Sequence, residues 1–226
     1  MKRWNGWGSE ATPMHEALSS ELQQFLKAIL GTGSSLKVIT LTEAIALVPE
    51  SRMNEHPLTD ITAETRLRHA RGQSLPDWLA MRSGKIDVFP DAVAKPKTTE
   101  ELRRLLSHAH EQNLCVIPYG GGTSVVGHIN PLLDDRPILT ISMSLMNKIS
   151  AVDAESQLVT IGAGATGPSI ERQLAKLGFK LGHYPQSWEY STLGGWVASR
   201  SSGQQSLQYG RIEQLFAGAN VETLSG

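Results

Sequence analysis

Three consecutive glycines, Gly120, Gly121 and Gly122, follow the apolar run Leu114-Cys115-Val116-Ile117 inside the stretch Pro118-Tyr119-Gly120-Gly121-Gly122-Thr123-Ser124. A strand ending in such a run releases the chain into a loop whose amides carry no side-chain cover. Glycine adopts positive φ and lets a ligand come close to the main chain. The Thr123 and Ser124 hydroxyls add donors, so the loop suits an oxyanion without needing a lysine of its own. The residues read as a diphosphate cradle. They do not form a Walker A loop, because no Gly-Lys-Ser/Thr follows. Nor do they form a Rossmann fingerprint, because the glycine spacing differs and no helix opens after them. Taken alone, the glycines read equally well as a plain chain reversal.

The rest of the composition removes other function classes. With 226 residues, 40% of them hydrophobic, the chain is long enough to bury a core of one large or two small domains. A formal net charge of -1, without basic runs, leaves no field to gather nucleic acid, and no nucleic-acid partner is expected. Cys115 is solitary, which excludes an internal disulfide and a cysteine metal pair; it reads as a buried small hydrophobe, and no metal site is expected. Met1 to Gly8 lacks the apolar core of a secretory signal, and no stretch has the length of a transmembrane segment. The expected location is intracellular and cytoplasmic, with a peroxisomal address or a peripheral membrane association left open.

Leu18, Leu22, Phe25, Leu26, Ile29 and Leu30 recur at helical spacing, with Ser19 or Ser20 as cap and Gly31 as stop. Pro49, Pro57, Gly72 and Pro76 punctuate an irregular, partly helical lead segment that ends near Ser83 to Lys85. We therefore expect a mainly helical segment over residues 1–85 and a second unit over residues 86–226. The second unit opens with a short strand around Val88 to Val93. A helix follows, with Thr98 and Glu101 as a capping box and Leu102, Leu105, Leu106 and Ala109 on its buried face. Next come the strand Leu114 to Ile117 and the glycine loop, then a strand over Ile138 to Met143. Ile149 to Asp153 and Gln157 to Gly162 read as a hairpin, and Pro168 opens another helix. The expected class is α+β with hairpins rather than alternating parallel βα units. Trp4 and Trp7 read as aromatic packing. His108 and His110 read as solvated helix positions, and His128 as a surface residue.

A second segment, Gly182 to Trp196, followed by Ala198-Ser199-Arg200-Ser201-Ser202-Gly203, stands in family order behind the glycine loop. Together these resemble the vanillyl-alcohol oxidase and p-cresol methylhydroxylase type of FAD-binding domain. Within it the chain is most similar to the alkyldihydroxyacetonephosphate synthases, through RWNGWG at Arg3 to Gly8, ETRLRHARGQSLPDWLAMRSG at Glu64 to Gly84, PYGGGTSV and STLGGW. The resemblance implies a fold of two α+β subdomains, the second truncated at Gly226. It implies FAD contacts at Pro118, Tyr119, Gly120, Gly121, Gly122, Thr123 and Ser124, then at Gln186, Ser187, Trp188, Glu189, Tyr190, Ser191 and Thr192, and finally at Ser199, Arg200, Ser201 and Ser202. Glu189 is expected to contribute backbone only, because its carboxylate would repel a diphosphate, and Arg200 to offset phosphate charge. Gly194 and Gly195 are expected to let the backbone approach the flavin. No histidine stands in the register where many relatives attach the flavin, which implies noncovalent FAD.

The resemblance further implies a flavoenzyme that exchanges the acyl group of acyl-dihydroxyacetone phosphate for a fatty alcohol in ether-lipid formation. The runner-up is an FAD-linked oxidoreductase acting on a 2-hydroxy acid such as lactate or glycolate, and a noncatalytic nucleotide-binding module is the third. The expected partner is a small-molecule or lipid-derived substrate, and the chain is compatible with a homodimer. Catalytic acid and base residues are not assigned, since the family carries them in its C-terminal half.

Overall fold

The computed structural model describes residues 2–12 and 18–225. The lead segment contains helices α1 (Ser20–Leu30), α2 (Leu41–Ala46), α3 (Ala63–Arg68) and α4 (Leu75–Ser83), with the two-residue strand β1 (Thr59–Asp60) before α3. Local chemistry sets their ends. Thr40 and Glu43 close a capping box on α2, Ser74 and Asp77 one on α4, and α4 stops at Gly84, whose φ of 74° suits glycine. Trp4, Ile39, Leu41 and Ile45 pack around buried Ala44, Leu67, Ala70 and Phe89.

Strand β2 (Ala92–Ala94), helix α5 (Thr99–Glu111), strand β3 (Cys115–Tyr119) and strand β4 (Ile138–Ser142) follow. The sheet order is β1-β2-β4-β3; β4 runs parallel to both neighbours and β1 antiparallel to β2. β2, α5 and β3 therefore form a crossover into which β4 inserts. This parallel βαβ element lies inside the α+β architecture, in the strand-helix-strand-loop order that the sequence suggested. Every residue of β4 is buried, as expected of a strand with parallel partners on both sides. Leu105, Leu106 and Ala109 of α5 pack on Ala92, Ala94, Leu139 and Ile141. The Thr98 hydroxyl accepts from the Glu101 amide at 3.2 Å, while the Glu101 carboxylate accepts from the Lys97 amide at 2.6 Å, one residue beyond the expected capping box. Asp91 is buried before β2, where its carboxylate accepts from the Ile138 amide at 2.7 Å and pairs with Arg52 at 2.8 Å, fixing the entry into β2.

The second half is built differently. The expected hairpin is present as isolated antiparallel bridges, Ile149 with Ile161 and Asp153 with Leu158, rather than as continuous strands. Helix α6 (Gly167–Ala175) and helix α7 (Leu193–Ser199) enclose a separate core of Ala165, Ile170, Leu174, Trp196 and Ile212. α7 forms over Leu-Gly-Gly-Trp-Val-Ala-Ser despite two glycines because Trp196 is buried in that core and its Nε1 donates to Ser191 Oγ at 2.6 Å. Gly194 serves packing, since a Cβ there would lie 2.9 Å from the Ala163 side chain. No helix among the described residues is long and apolar enough to cross a membrane.

Candidate functional site

The carboxyl ends of β2, β4 and β3 lie at one edge of the sheet, with Ala94 beside Ile141 and Tyr119 beside Ser142. A cavity of about 350 Å³ opens there, at the edge where parallel sheets usually take ligands. One wall comes from the residues leaving the strands: Lys95, Tyr119, Gly120, Gly121, Ser142, Ser144 and Asn147. A second comes from Gly164, Thr166, Ser169, Tyr190 and Thr192, and a third from Lys2, Arg3, Trp4, Arg68, His69, Arg71 and Gln73. Five lysines and arginines line the cavity and, among the described residues, no carboxylate does.

The glycine loop is used twice. A Cβ on Gly121 would overlap the Tyr190 carbonyl, and one on Gly120 would overlap the Thr192 hydroxyl. These glycines thus let the 190–192 segment dock against the loop, a structural use beside the ligand cradle and the plain chain reversal that the sequence suggested. Gly122, at φ 66°, folds over the Tyr119 hydroxyl. The amides of Gly121, Gly122 and Thr123 donate to no group among the described residues, and the buried Thr192 Oγ1 likewise has no partner. The far side of the loop is pinned, because the Gln73 amide donates to the Ser124 carbonyl at 2.6 Å. The Ser124 hydroxyl lies 3.3 Å from Nδ1 of the exposed His128.

Burial tunes the third wall. It pulls the Lys2 ammonium down to about 8, and its Nζ donates to the Gly121 carbonyl at 2.5 Å. Burial also brings His69 down to about 4, and the ring nitrogen Nδ1 lies 2.8 Å from the Thr65 carbonyl. His69 is therefore neutral near pH 7, donating from Nδ1, and its ring lies tilted on Tyr119 at 4.7 Å. Burial pushes the Tyr119 phenol upward, so it keeps its proton. Arg3 Nε is buried without a hydrogen-bond partner among the described residues.

Among the residues singled out from the sequence, Tyr119, Gly120, Gly121, Tyr190 and Thr192 meet at the cavity. Pro118 is exposed on β3, and Gln186 and Glu189 are exposed. The Ser187 carbonyl accepts from the Ser191 amide at 2.8 Å. Ser191 spends its hydroxyl on Ser187 and on Trp196. Trp188 fills the space that Gly167 leaves open, 5.6 Å from Tyr184. Ser199, Arg200, Ser201 and Ser202 stand at the end of α7, away from the cavity wall. Ser199 Oγ donates to the Gly195 carbonyl at 2.7 Å, Ser201 Oγ lies 2.7 Å from His183 Nε2, and Ser202 is exposed. Arg200 is left-handed at φ 51° and pairs with Glu213 at 3.3 Å, so its charge faces that carboxylate rather than the cavity. His108, read as solvated, stacks on His56 at 4.5 Å, and Cys115, read as buried, is half-buried. The basic wall went unread as a site. Its only signals were the RWNGWG and ETRLRHARGQ stretches.

Residues 90–226 match the family model described as FAD binding domain. The chain belongs to this FAD-binding family. It is 34% identical to alkyldihydroxyacetonephosphate synthase of Dictyostelium discoideum over 99% of this chain and 42% of that protein. With the Trypanosoma brucei brucei synthase it shares 33% identity, again over 99% of this chain and 42% of that one. A solved alkyldihydroxyacetonephosphate synthase superposes with a TM-score of 0.80 at 32% identity, covering 94% of this chain and 46% of the other. The chain thus spans less than half the length of these relatives. The FAD-binding chain also fits its cofactor physically: free loop amides, an orphan buried hydroxyl and a wall of cations without carboxylates suit a dinucleotide diphosphate.

Proposed function

We propose that this chain is the FAD-binding portion of an alkyldihydroxyacetonephosphate synthase, which exchanges the acyl group of acyl-dihydroxyacetone phosphate for a fatty alcohol. The observation that carries the assignment is coverage. The Dictyostelium discoideum and Trypanosoma brucei brucei synthases align over 99% of the chain, which necessarily takes in the lead segment ahead of the family domain, and the Caenorhabditis elegans synthase aligns over 70% at 41% identity. Escherichia coli YgcU, an FAD-linked oxidoreductase, aligns at 31% identity over 61%, and D-2-hydroxyglutarate dehydrogenase of Danio rerio at 31% over 66%. The lead segment supplies Lys2, Arg3, Arg68, His69, Arg71 and Gln73 to the cavity, so similarity extending through it concerns the site itself.

Bound FAD supplies an isoalloxazine ring able to accept and return an electron pair. The residues of this chain bind and orient it. Amides of Gly121, Gly122 and Thr123 would hold the diphosphate, Tyr190 and Thr192 line the same cavity, and the cationic wall would offset the phosphate charge. Ser187, Trp188, Ser191 and the 199–202 turn hold the shape of these segments. Binding is noncovalent, as the flanking loop offers Thr123 where an attaching histidine would stand. His69 and Tyr119 have protonation states fixed near neutrality by burial, so they hold hydrogen-bonding geometry rather than move protons.

Incubating the protein with acyl-dihydroxyacetone phosphate and a labelled fatty alcohol, without electron acceptor, should give labelled alkyl product and free fatty acid. A second reading, oxidation of a 2-hydroxy acid, is favoured by the dehydrogenase relatives and predicts acceptor-dependent flavin reduction by lactate or 2-hydroxyglutarate instead. A protein that is colourless and takes up no FAD defeats both.

A further inference from the structure

The glycine loop brings no cation to a doubly charged diphosphate, yet a lysine 119 residues away in sequence touches it. We propose that Lys2 is a cofactor-retaining residue, its ammonium bridging the glycine loop and the FAD diphosphate, and that the RWNGWG stretch is the strap that holds it there. This rests on the FAD reading above and extends it to residues outside the matched family domain.

The strap is folded and anchored at several points. Lys2 bridges Ser9, the Arg3 amide donates to the Gly8 carbonyl at 2.9 Å, and Gly8 turns the chain at φ 96°. Trp4 packs into the lead-segment core, and Trp7 sets its ring edge-on to Tyr190 at 5.1 Å and 87°. Arg68 Nη1 donates to the Lys2 carbonyl at 3.1 Å, while its Nη2 pairs with both Glu10 and Glu64 at 2.9 and 2.8 Å. The two tryptophans therefore tie the strap to both halves of the groove, one to the lead segment and one to the 190–192 segment. From the start of this strap Lys2 reaches the Gly121 carbonyl.

An ammonium has three donors. Lys2 spends one on Gly121, the Tyr190 ring centroid lies 5.9 Å from its Nζ, and the Nζ and the Tyr119 hydroxyl both lie beside Gly122. The other charged and titratable groups on the same cavity are Arg3, Arg68, His69, Arg71, Lys95, Tyr119 and Tyr190, and the carboxylates of Glu10 and Glu64 are engaged by Arg68. Burying an ammonium with no carboxylate opposite is costly unless an anion joins it. The depressed ammonium agrees with a site that lacks its counterion until a ligand brings one. A diphosphate on the unpartnered amides of Gly121 to Thr123 is adjacent to that ammonium.

The test is the affinity of the purified protein for FAD, and for riboflavin, which lacks the diphosphate, by flavin fluorescence. Lys2→Ala and Lys2→Gln should each weaken FAD about 10- to 100-fold, the loss expected for one charge-assisted hydrogen bond, and leave riboflavin unchanged. Lys2→Arg should restore most of the FAD affinity. Between pH 7 and 9 the wild type should lose affinity as Lys2 gives up its proton, while Lys2→Arg stays level. If wild type binds FAD and both neutral variants bind it equally well, the inference fails and the FAD reading stands. It fails too if FAD and riboflavin weaken in parallel, because Lys2 would then support structure alone. If the wild type binds no FAD, the cofactor reading itself falls.

Discussion

The two halves of the groove are held together by different means. On the sheet side, β4 is buried along its whole length between two parallel partners and roofed by α5. On the other side the 149–162 hairpin has only isolated bridges, and Leu158 is 52% exposed. Parallel strands cannot stand alone and so come with a core already assembled, whereas a single two-stranded hairpin is marginal and depends on what it packs against. The sheet half carries the stability and delivers the loop, and the second half docks on it. The contrast breaks first under a matched pair of truncations. Leu139→Ala in β4, at a position with 0% exposure, should cost about 2–5 kcal/mol, while Leu158→Ala should stay within about 0.5 kcal/mol. Comparable losses for the two in urea titrations would show that stability is shared evenly.

The seam between the halves gives a sharper comparison with a smaller effect. Gly121→Ala places a methyl where the Tyr190 carbonyl lies, so the loop and the 190–192 segment must part. We expect a cost of about 1–3 kcal/mol, as for other overpacked sites, together with weaker FAD binding because the groove widens. Gly33→Ala, where a Cβ meets nothing, serves as the neutral control. A Gly121→Ala protein with wild-type FAD affinity and wild-type urea midpoint would mean that the two halves are not pressed together at this point.

What could be read from the chain beforehand follows the same division. α5 and β4 were legible because their apolar residues keep a clean period and Thr98 marks the helix start, and the sheet core rewards that period directly. α7 was not, since Gly194 and Gly195 carry loop propensity and only the burial of Trp196 overrides it. β1 was invisible because two residues make no pattern. The glycine loop was readable as an anion cradle, yet half the reason for its glycines is the Tyr190 backbone, which lies far along the chain. Arg68 and Arg71 stand in the sequence only as part of a longer motif; the third dimension brings them to the cavity that Lys2 also lines. Long-range charge convergence leaves no local periodicity, which is why the site's cations were the part most completely missed.

Each side of the groove also draws a histidine out of water, His69 in part and His183 almost fully, and the two make the finest comparison. His69 sits against Tyr119 on the sheet side, and His183, 1% exposed, lies edge-on to Trp196 at 5.1 Å on the other. Burial lowers both, His69 to about 4. In the unfolded chain a histidine takes up its proton near pH 6.5, so below that pH the unfolded state binds a proton that the folded state refuses. Stability therefore falls as pH drops from about 6.5 toward 4, by up to about 1.4 kcal/mol per pH unit for His69 once the unfolded form is fully charged. His69→Gln, which can keep the donor to Thr65, should flatten the wild-type loss between pH 7 and 5 by about 1–2 kcal/mol in urea titrations. His183→Gln should flatten it less, because burial lowers His183 by less than it lowers His69. Equal acid slopes in wild type and His69→Gln would mean that the Tyr119 side of the groove admits water freely, and the distinction between a tight sheet half and a looser docked half would lose its electrostatic support.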